Sequence, residues 1–375
     1  MAYAFLEGNE AVALAAVKAG CTFFAGYPIT PATSILAKML EFLPPEGGVC
    51  LQGEDEIGSI GYCLGASMTG QKTMTATSGP GISLYSEQIS FAIGSEIPIV
   101  IINVQRLGPS TGSATKGADG DINFMRWGNS GGLPVIVLAP VNVSDCYVLT
   151  MEAFNLAEKY RCPVFLASNK EIGLTRESID LDALELPDII ERTRFGGSGD
   201  SFLPFRAEER EGNPPFLPIG ESTLVRQTSS THGEDGYITT DRSIIASQRQ
   251  RLKDKLEKNV AAFTYYDYQP KENAEVLVIT YGVTGRAAKQ AISEAATVHD
   301  RNISLLILKT LWPVPDKLIA EIARGYSEIL VVEMNLGQYV HEIERVLGLD
   351  KVQFFGQMDG ALITPAQILE VIVNG

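Results

Sequence analysis

Short apolar segments alternate with helical patterns along most of this chain of 375 residues, and this alternation constrains its fold more than any other feature. Residues 98–104, Pro-Ile-Val-Ile-Ile-Asn-Val, are almost continuously apolar, as is typical of a central strand in a parallel sheet whose two faces are both covered. Further strand-like segments at 72–78, 163–167 and 303–308 also stand next to helical patterns. Strands that alternate with helices predict an α/β protein with parallel sheets.

The alternation is interrupted once, which indicates two α/β domains. Residues 195–240 contain many Gly, Pro, Ser and charged residues with little periodicity, and they precede a polar helical segment at 242–260. A chain of this length is long enough for two domains. We therefore expect an α/β domain, an irregular connecting arm with a helix, and a second α/β domain, over residues 1–185, 186–270 and 271–375.

The charge and the apolar content exclude several classes of partner. The net charge is −15, which argues against a nucleic-acid ligand because phosphate binding needs clustered Lys and Arg. No apolar segment reaches the roughly 18 residues that a membrane span needs, and the first residues lack the basic and apolar regions of a secretory signal. We expect a cytoplasmic protein that binds neither nucleic acid nor membrane.

The cysteines and histidines do not form a metal-binding pattern. The five cysteines include no pair with C-x-x-C spacing, and the three histidines are scattered along the chain. Iron–sulfur clusters need closely spaced thiolates, so we expect buried free thiols and no metal site on this chain.

Residues 26–65 contain two predicted strand-turn-helix units in succession. The first turn carries Thr30 immediately before Pro31, which is the position and the side-chain type of a helix N-cap. The second turn carries three acids. Ligands of open α/β sheets bind at the carboxyl ends of the strands, so we expect these side chains to face one crevice.

The three acids are Glu54, Asp55 and Glu56. Either Glu54 or Asp55 is sufficient to cap the helix that follows. Glu56 is then either a first-turn carboxylate that stabilises the helix dipole by about 0.3–1 kcal/mol, or a spare carboxylate that can bind a ring nitrogen. We select Glu56 as the main candidate for a functional role.

The helix predicted after these acids contains Gly58, Gly61 and Gly65. Each interior glycine costs a helix about 1 kcal/mol, so the three must allow close approach of another backbone. That backbone could belong to the protein's own sheet or to a partner subunit.

Arg106 ends the apolar strand at 98–104 and leads into a glycine-rich loop. An arginine at the carboxyl end of a buried strand suits bidentate binding of a carboxylate, although a salt bridge to a nearby acid is an equal alternative. The loop over 108–132 is too long to be a simple connection and could form a lid or a substrate loop. Its polar candidates, which spacing alone does not rank, are Lys116, Asp119, Asp121, Asn123 and Arg126.

A second glycine turn, residues 282–285 (Gly-Val-Thr-Gly), follows a predicted strand and resembles half of a nucleotide-binding turn. The complete G-x-G-x-x-G pattern is absent, so an ordinary strand-to-helix turn is the favoured interpretation. The sequence also lacks a P-loop and a G-x-S-x-G hydrolase motif.

Several segments then allow a comparison with a known family. Those in the first part are 26–33 (Gly-Tyr-Pro-Ile-Thr-Pro-Ala-Thr), 54–61 (Glu-Asp-Glu-Ile-Gly-Ser-Ile-Gly), 77–81 (Thr-Ser-Gly-Pro-Gly) and 105–112 (Gln-Arg-Leu-Gly-Pro-Ser-Thr-Gly). Those in the last part are 312–315 (Trp-Pro-Val-Pro) and 332–338 (Val-Glu-Met-Asn-Leu-Gly-Gln). In this order, over nearly the full length, they resemble the α subunit of 2-oxoacid:ferredoxin oxidoreductases.

The resemblance implies a pyrimidine-type thiamine diphosphate domain followed by a transketolase C-terminal-like domain. In this family the cofactor binds between two subunits. A glutamate binds N1′ of its aminopyrimidine ring and so activates the thiazolium, and the resemblance places this glutamate at Glu56. The resemblance places further cofactor contacts at Tyr27, Pro28 and Gly79. It places substrate contacts at Thr30, Arg106, Ser110, Thr111 and Lys116.

The resemblance also implies partners. No G-D-G motif followed some 25–30 residues later by Asn-Asn occurs here, so the diphosphate and Mg²⁺ are expected on a β subunit. That subunit is also expected to carry the 4Fe–4S cluster, with γ and δ subunits as possible additions. The implied reaction is oxidative decarboxylation of a 2-oxoacid to an acyl-CoA and CO₂, with coenzyme A as co-substrate and ferredoxin as electron acceptor.

The substrate side chain and the acceptor stay open at this point. In the 2-oxoglutarate branch of the family a segment such as Leu-Pro-Thr is expected after Gly112, whereas residues 113–121 here read Ser-Ala-Thr-Lys-Gly-Ala-Asp-Gly-Asp. Lys116 or Arg126 could bind a second carboxylate, which favours 2-oxoglutarate over a branched-chain or aromatic 2-oxoacid. The electron acceptor could also be NAD.

A non-catalytic nucleotide-binding α/β module is the alternative from another functional class. A transketolase-type transferase is disfavoured because the catalytic histidines of such enzymes are absent.

Overall fold

The first part of the chain is built mainly from short strands, each followed by a helix. A computed structural model describes residues 3–209 and 212–374. Its elements up to Asp180 are β1 (Tyr3–Glu7), α1 (Gly8–Lys18), β2 (Phe23–Gly26), α2 (Thr33–Phe42), β3 (Val49–Gln52), α3 (Glu56–Met68), β4 (Thr73–Thr77), α4 (Gly79–Leu84), α5 (Ser86–Gly94), β5 (Ile99–Gln105), α6 (Ile122–Trp127), β6 (Ile136–Leu138), α7 (Val143–Tyr160), β7 (Pro163–Asn169), α8 (Lys170–Gly173) and β8 (Arg176–Asp180).

The last part repeats this alternation after a long helix. Its elements are α9 (Arg242–Glu257), β9 (Tyr266–Gln269), β10 (Val276–Tyr281), α10 (Thr284–Val298), β11 (Ile303–Leu308), β12 (Thr310–Trp312), α11 (Asp316–Ala323), β13 (Glu328–Glu333), α12 (Val340–Leu347), β14 (Val352–Gly356) and α13 (Pro365–Asn374). None of the helices in the described part of the chain combines the length and the apolar character of a membrane span.

The larger sheet has seven strands in the order β12-β6-β7-β5-β4-β2-β3, and the smaller sheet has five in the order β14-β13-β10-β11-β9. All neighbouring pairs in these two sheets are parallel except β12 with β6 and β9 with β11. The α/β prediction with two parallel sheets is thus confirmed. The antiparallel edge strands were not foreseen, nor was the separate antiparallel pair of β1 and β8.

Strand β5 lies at the centre of the larger sheet, and all seven of its residues are buried. Val100 and Ile102 belong to the core cluster that includes residues of α1 and α7, whereas Ile99 and Ile101 belong to the cluster with residues of α3 and α5. This division of alternate residues shows that helices cover both faces of the sheet, as the continuous apolar sequence predicts.

Strand β12 connects the two parts of the chain. Thr310 and Trp312 pair with Leu138 and Val137 of β6, so residues that follow the smaller sheet's β11 extend the edge of the larger sheet. The chain thus passes directly from β11 of the smaller sheet to β12 at the edge of the larger sheet, which links the two sheets.

Between β8 and α9 the described residues form no strand and no α-helix, only short 3₁₀ turns at Leu181–Ala183 and Gly199–Ser201. This agrees with the irregular arm predicted from composition. The arm is nevertheless anchored, because the buried Arg192 guanidinium donates to both carboxylate oxygens of Glu158, at 2.8 and 2.9 Å, and to the carbonyl oxygen of Ser67 at 2.8 Å.

A buried carboxylate attaches α9 to the larger sheet. Glu96 is fully buried and accepts hydrogen bonds from Lys255 Nζ at 3.0 Å and from the guanidinium of Arg251. Burial by itself raises the pKa of Glu96, but the charges of Lys255, Arg251 and Arg161 outweigh this effect and hold the pKa well below its usual range.

Replacement Glu96→Gln tests this attachment. Lys255 and Arg251 would lose their counter-charge. We therefore expect the free energy of unfolding at pH 7 to fall by about 3–5 kcal/mol in urea titrations. The difference from wild type should shrink as the pH falls below the ordinary pKa of glutamate, because the stability that a lowered pKa contributes is lost as the carboxylate is protonated. The exposed Glu257→Gln in the same helix is the matched control and should change stability by less than about 0.5 kcal/mol. Equal effects of the two variants would contradict this assignment.

Candidate active site

The carboxyl ends of β5, β4, β2 and β3, which are consecutive neighbours in the larger sheet, supply the candidate residues. Arg106 follows β5, residues 77–81 end β4 and begin α4, residues 27–31 follow β2, and Glu56 follows β3. The sheet therefore brings segments that lie far apart in the sequence to one edge, as expected for ligand sites of parallel sheets.

Glu56 is the first residue of α3 and does not serve as its cap. The carboxylate of Asp55 accepts the backbone N–H of Gly58 at 2.6 Å, which confirms that one of the preceding acids caps the helix. Glu56 is only 7% exposed, and its carboxylate has no hydrogen-bond or ion-pair partner among residues 3–209 and 212–374. A buried carboxylate without a donor is costly, so this one is suited to a ligand that brings a donor.

Gly81 packs closely against Glu56 and Thr77. A Cβ atom on Gly81 would stand 2.9 Å from Cγ of Glu56 and 1.9 Å from Oγ1 of Thr77, so only glycine fits there. The hydroxyl groups of Thr77 and Ser78 are buried without a hydrogen-bond partner in the described structure. The Gly-Pro-Gly segment at 79–81 forms the first turn of α4.

Arg106 is 5% exposed and is held by main-chain carbonyl groups. Its Nη1 donates to the carbonyl oxygen of Thr30 at 2.6 Å, its Nη2 donates to that of Thr111 at 2.9 Å, and its Nε has no partner within the described residues. A Cβ on Gly79 would lie 4.0 Å from this Nε and 3.7 Å from the carbonyl oxygen of Ser110. The structure thus brings Thr30, Gly79, Ser110 and Thr111 together around Arg106. The salt bridge considered as an alternative is not seen among the described residues.

The prediction that Thr30 caps α2 is wrong. The helix begins at Thr33 with Ala32 at the N-cap position, and Thr30 lies exposed in the preceding turn. A residue before proline is disfavoured in the helical conformation, which separates Thr30 from the helix. The same turn contains Tyr27, which is partly exposed, and the half-buried Pro28.

Lys116 and Arg126 are not part of the group around Arg106. Lys116 is exposed and packs against the loop at Gly360, since a Cβ atom on Gly360 would stand 2.8 Å from the Cβ atom of Lys116. The Arg126 guanidinium lies 3.9 Å from the ring centroid of Trp127 and donates to the carbonyl oxygen of Leu133 at 3.1 Å. It lines a cleft of about 810 Å³ whose lining includes neither Glu56 nor Arg106.

The loop predicted over 108–132 contains the helix α6, and its buried acids stand out only in the structure. Asp119 is 2% exposed, its Oδ1 accepts from Asn169 Nδ2 at 2.8 Å, and burial raises its pKa to about 7. A Cβ on Gly282 would stand 3.2 Å from Oδ2 of Asp119, so this carboxyl group covers the glycine turn at 282–285. The turn connects β10 directly to α10, as expected of a strand-to-helix turn.

The buried hydroxyls of Thr77 and Ser78 were not selected as candidates from the sequence. The sequence does place these two hydroxyl side chains between a strand and a glycine-rich helix start. Their burial without a hydrogen-bond partner is visible only in the three-dimensional structure.

Comparisons with known proteins identify the family of this chain. Residues 14–272 match the family model "Pyruvate flavodoxin/ferredoxin oxidoreductase, thiamine diP-bdg", and residues 274–368 match "Pyruvate:ferredoxin oxidoreductase core domain II". The chain is 40% identical to the 2-oxoglutarate synthase subunit KorA of Methanothermobacter thermautotrophicus, covering 99% of this chain and 98% of the relative. It is 33% identical to the ketoisovalerate oxidoreductase subunit VorB of the same organism, covering 99% and 97%.

A solved structure is similar over almost the whole chain. The 2-oxoglutarate:ferredoxin oxidoreductase from Magnetococcus marinus, determined with 2-oxoglutarate, coenzyme A and succinyl-CoA bound, superposes with a TM-score of 0.91 at 32% identity. The match covers 99% of this chain and 65% of that chain. A split-gene transketolase matches with a TM-score of 0.57 at 12% identity, which supports the predicted transketolase-like fold. Since the first family model alone covers more than half of the sequence, this chain belongs to the pyruvate flavodoxin/ferredoxin oxidoreductase family.

Proposed function

We propose that this chain is the α subunit of a coenzyme A-dependent 2-oxoacid:ferredoxin oxidoreductase that converts 2-oxoglutarate to succinyl-CoA and CO₂. The observation that carries the proposal is the largely buried carboxylate of Glu56, which has no partner in the described structure and lies close to the main chain at Gly81. For the substrate, relatives named 2-oxoglutarate synthase are 38–40% identical to this chain, against 32–33% for those named ketoisovalerate oxidoreductase.

The residues around Glu56 fit the aminopyrimidine ring of thiamine diphosphate. In this proposal the Glu56 carboxylate binds the ring nitrogen N1′, Gly81 lets the main chain of α4 approach this carboxylate, and the hydroxyls of Thr77 and Ser78 are available as donors. When bound, the cofactor supplies the electron sink that a 2-oxoacid needs in order to lose CO₂. Because Glu56 is buried, its interaction with the ring is weakly screened by water, which strengthens its control of the proton at N1′. Tyr27, Pro28 and Gly79 are proposed as further contacts.

The group around Arg106 is proposed to bind the 2-oxoacid. Two of the guanidinium nitrogens are oriented by carbonyl groups, which leaves Nε–H free to donate to a carboxylate oxygen. Thr30, Ser110 and Thr111 border this position. The exposed ammonium of Lys116, on the same loop, is our proposed ligand for the second carboxylate of 2-oxoglutarate.

The second half of the site is proposed to come from a β subunit that carries the diphosphate and Mg²⁺ site and a 4Fe–4S cluster. Within residues 3–209 and 212–374, no group of three or more His, Cys, Asp or Glu side chains is placed to hold a metal ion. The relatives are themselves named as subunits, and the Magnetococcus marinus chain is longer than this one, so we also propose a further subunit of the γ or δ type.

We propose that the β subunit docks on the exposed face of α3. A Cβ on Gly61 or Gly65 would meet no atom within 4 Å, so these glycines do not serve packing against the chain's own sheet. Ile57 and Tyr62 on the same helix are 45% and 52% exposed. This helix begins at Glu56, so a partner that completes the cofactor site lies next to it.

The domain limits 1–185, 186–270 and 271–375 are retained as a proposal. All strands of the larger sheet except β12 lie before residue 185, and all strands of the smaller sheet except β9 lie after residue 271.

Replacement Glu56→Gln in the reconstituted complex tests the catalytic assignment. An amide cannot share a proton with N1′ as a carboxylate does, and we expect kcat to fall by about 10²–10⁴-fold. Thiamine diphosphate content should be measured in parallel, and Glu54→Gln, at the exposed start of the same helix, should retain activity. Near-normal turnover of Glu56→Gln with bound cofactor would contradict the assignment.

The substrate is tested by turnover of the reconstituted complex with a panel of 2-oxoacids and ferredoxin. We expect the highest kcat/KM for 2-oxoglutarate and a loss of that preference in Lys116→Ala, because only a dicarboxylate profits from a second cation. A higher kcat/KM for 2-oxoisovalerate or an aromatic 2-oxoacid would contradict the assignment of 2-oxoglutarate as the substrate, but not the proposed reaction type.

The docking face is tested by Gly61→Ala and Gly61→Leu. Alanine should stabilise the isolated chain by about 1 kcal/mol through helix propensity, since there is space for its side chain. Leucine should leave the isolated chain folded but prevent copurification with the β subunit. The exposed Ser293→Ala in α10 is the control for assembly. Full assembly of Gly61→Leu would exclude this face.

A further inference from the structure

The loop that begins at Arg106 ends in a segment, residues 118–123, that lies between the two sheets. On the side of the larger sheet, Asn103 Nδ2 donates to Asp121 Oδ2 at 3.0 Å, and Gln105 Oε1 accepts the backbone N–H of Asp121 at 2.9 Å. Asn103 and Gln105 belong to β5, which ends directly before Arg106. One side of the segment is therefore attached to the strand that carries the proposed substrate ligand.

The other side of the segment is held by the smaller sheet. Gln338 Nε2 donates to the carbonyl oxygen of Gly120 at 2.6 Å, and Gln338 Oε1 accepts the backbone N–H of Asn123 at 2.9 Å. Asn335 Nδ2 donates to the carbonyl oxygen of Asp119 at 2.9 Å. Gln338 and Asn123 are 215 positions apart in the sequence, so these bonds form only when the two sheets are assembled.

Asn335 and Gln338 stand on a rigid support. Glu333, at the end of β13, is 1% exposed and accepts hydrogen bonds from Tyr281 Oη at 2.7 Å, from Asn335 Nδ2 at 2.9 Å and from the backbone N–H of Val340 at 2.7 Å. Asn335 Oδ1 in turn accepts the backbone N–H of Gln338 at 3.1 Å. A network in which the buried groups satisfy one another fixes a single geometry.

The segment acts on Arg106 in two ways. The carboxylate of Asp121 is close enough for the Arg106 charge to stabilise it, although burial is the larger effect and raises the pKa of Asp121 overall. The loop before the segment is closed by hydrogen bonds from Leu107 N to Lys116 O and from Ser113 N to Leu107 O, both 2.8 Å, and it presents the Thr111 carbonyl to Arg106. A shift of the segment would therefore disturb both the charge neighbour and a carbonyl partner of the guanidinium.

We propose that Gln338, supported by Asn335, is a positioning residue for the substrate site: from the second sheet it fixes residues 118–123 and thereby orients Arg106. This inference rests on the proposed role of Arg106 in binding the 2-oxoacid. Residues 332–338 resemble the family segment but had no role assigned to them. In this proposal they support the substrate-binding part of the site. Gln338 does not touch substrate in this proposal.

Gln338→Ala in the reconstituted complex tests the proposal. We expect KM for the 2-oxoacid to rise by about 10-fold to 100-fold, as is typical of misplaced binding groups, while kcat and KM for coenzyme A change less than about 2-fold. Gln338→Glu keeps the acceptor for Asn123 and loses the donor to Gly120, so its KM should be intermediate. Gln290→Ala is the matched control, because Gln290 is exposed on α10 and bonds to Glu294 of the same helix at 2.8 Å, and its KM should equal that of wild type.

A double-mutant cycle with Arg106→Lys separates positioning from general damage. If Gln338 acts through Arg106, then Gln338→Ala should change kcat/KM by less than about 2-fold in the Arg106→Lys background. Independent, multiplicative effects would overturn the proposal, as would an unchanged KM in Gln338→Ala. If Arg106→Lys alone left the 2-oxoacid KM unchanged, the role of Arg106 itself would fail; if it raised KM while Gln338→Ala did not, only the positioning role would fail.

Discussion

The buried carboxylate of Glu56 is the constraint on which the rest of the site depends. Glu56 is 7% exposed, and its carboxylate makes no hydrogen bond within the described part of the chain, since Asp55 already caps the helix. Around Glu56 lie Gly81, which allows close approach of the main chain, and two hydroxyls whose hydrogen bonds are not made within the described structure. These features support the proposal that a cofactor and a partner subunit complete the site.

The second constraint is the junction of the two sheets. β12 extends the larger sheet from the far part of the sequence, and Gln338 and Asn335 hold the loop that follows Arg106. The hydrogen bonds of the second domain therefore reach a loop that borders the proposed substrate position. Buried polar networks of this kind specify one geometry, which a binding site needs.

Sequence reasoning predicted the strands well because buried parallel strands are continuous apolar segments, and residues 303–308 were located without error. It selected Glu56 and Arg106 because both follow strand ends, which meet at one edge of the sheet. It did not foresee β12, because a three-residue strand that pairs across the chain leaves no local signal. It placed Thr30 at the wrong position relative to α2 and could not rank the acids of the loop at 108–132. Burial, which distinguishes Asp119 from its neighbours, is set by the distant β13 region rather than by the local sequence.

The central claim is that this chain holds one half of a thiamine diphosphate site. Calorimetric titration of thiamine diphosphate and Mg²⁺ into the isolated chain, and into the chain assembled with its β subunit, tests the claim most directly. We expect one molecule of thiamine diphosphate to bind per chain in the assembled complex, and no measurable binding to the isolated chain. Stoichiometric, tight binding to the isolated chain would contradict it.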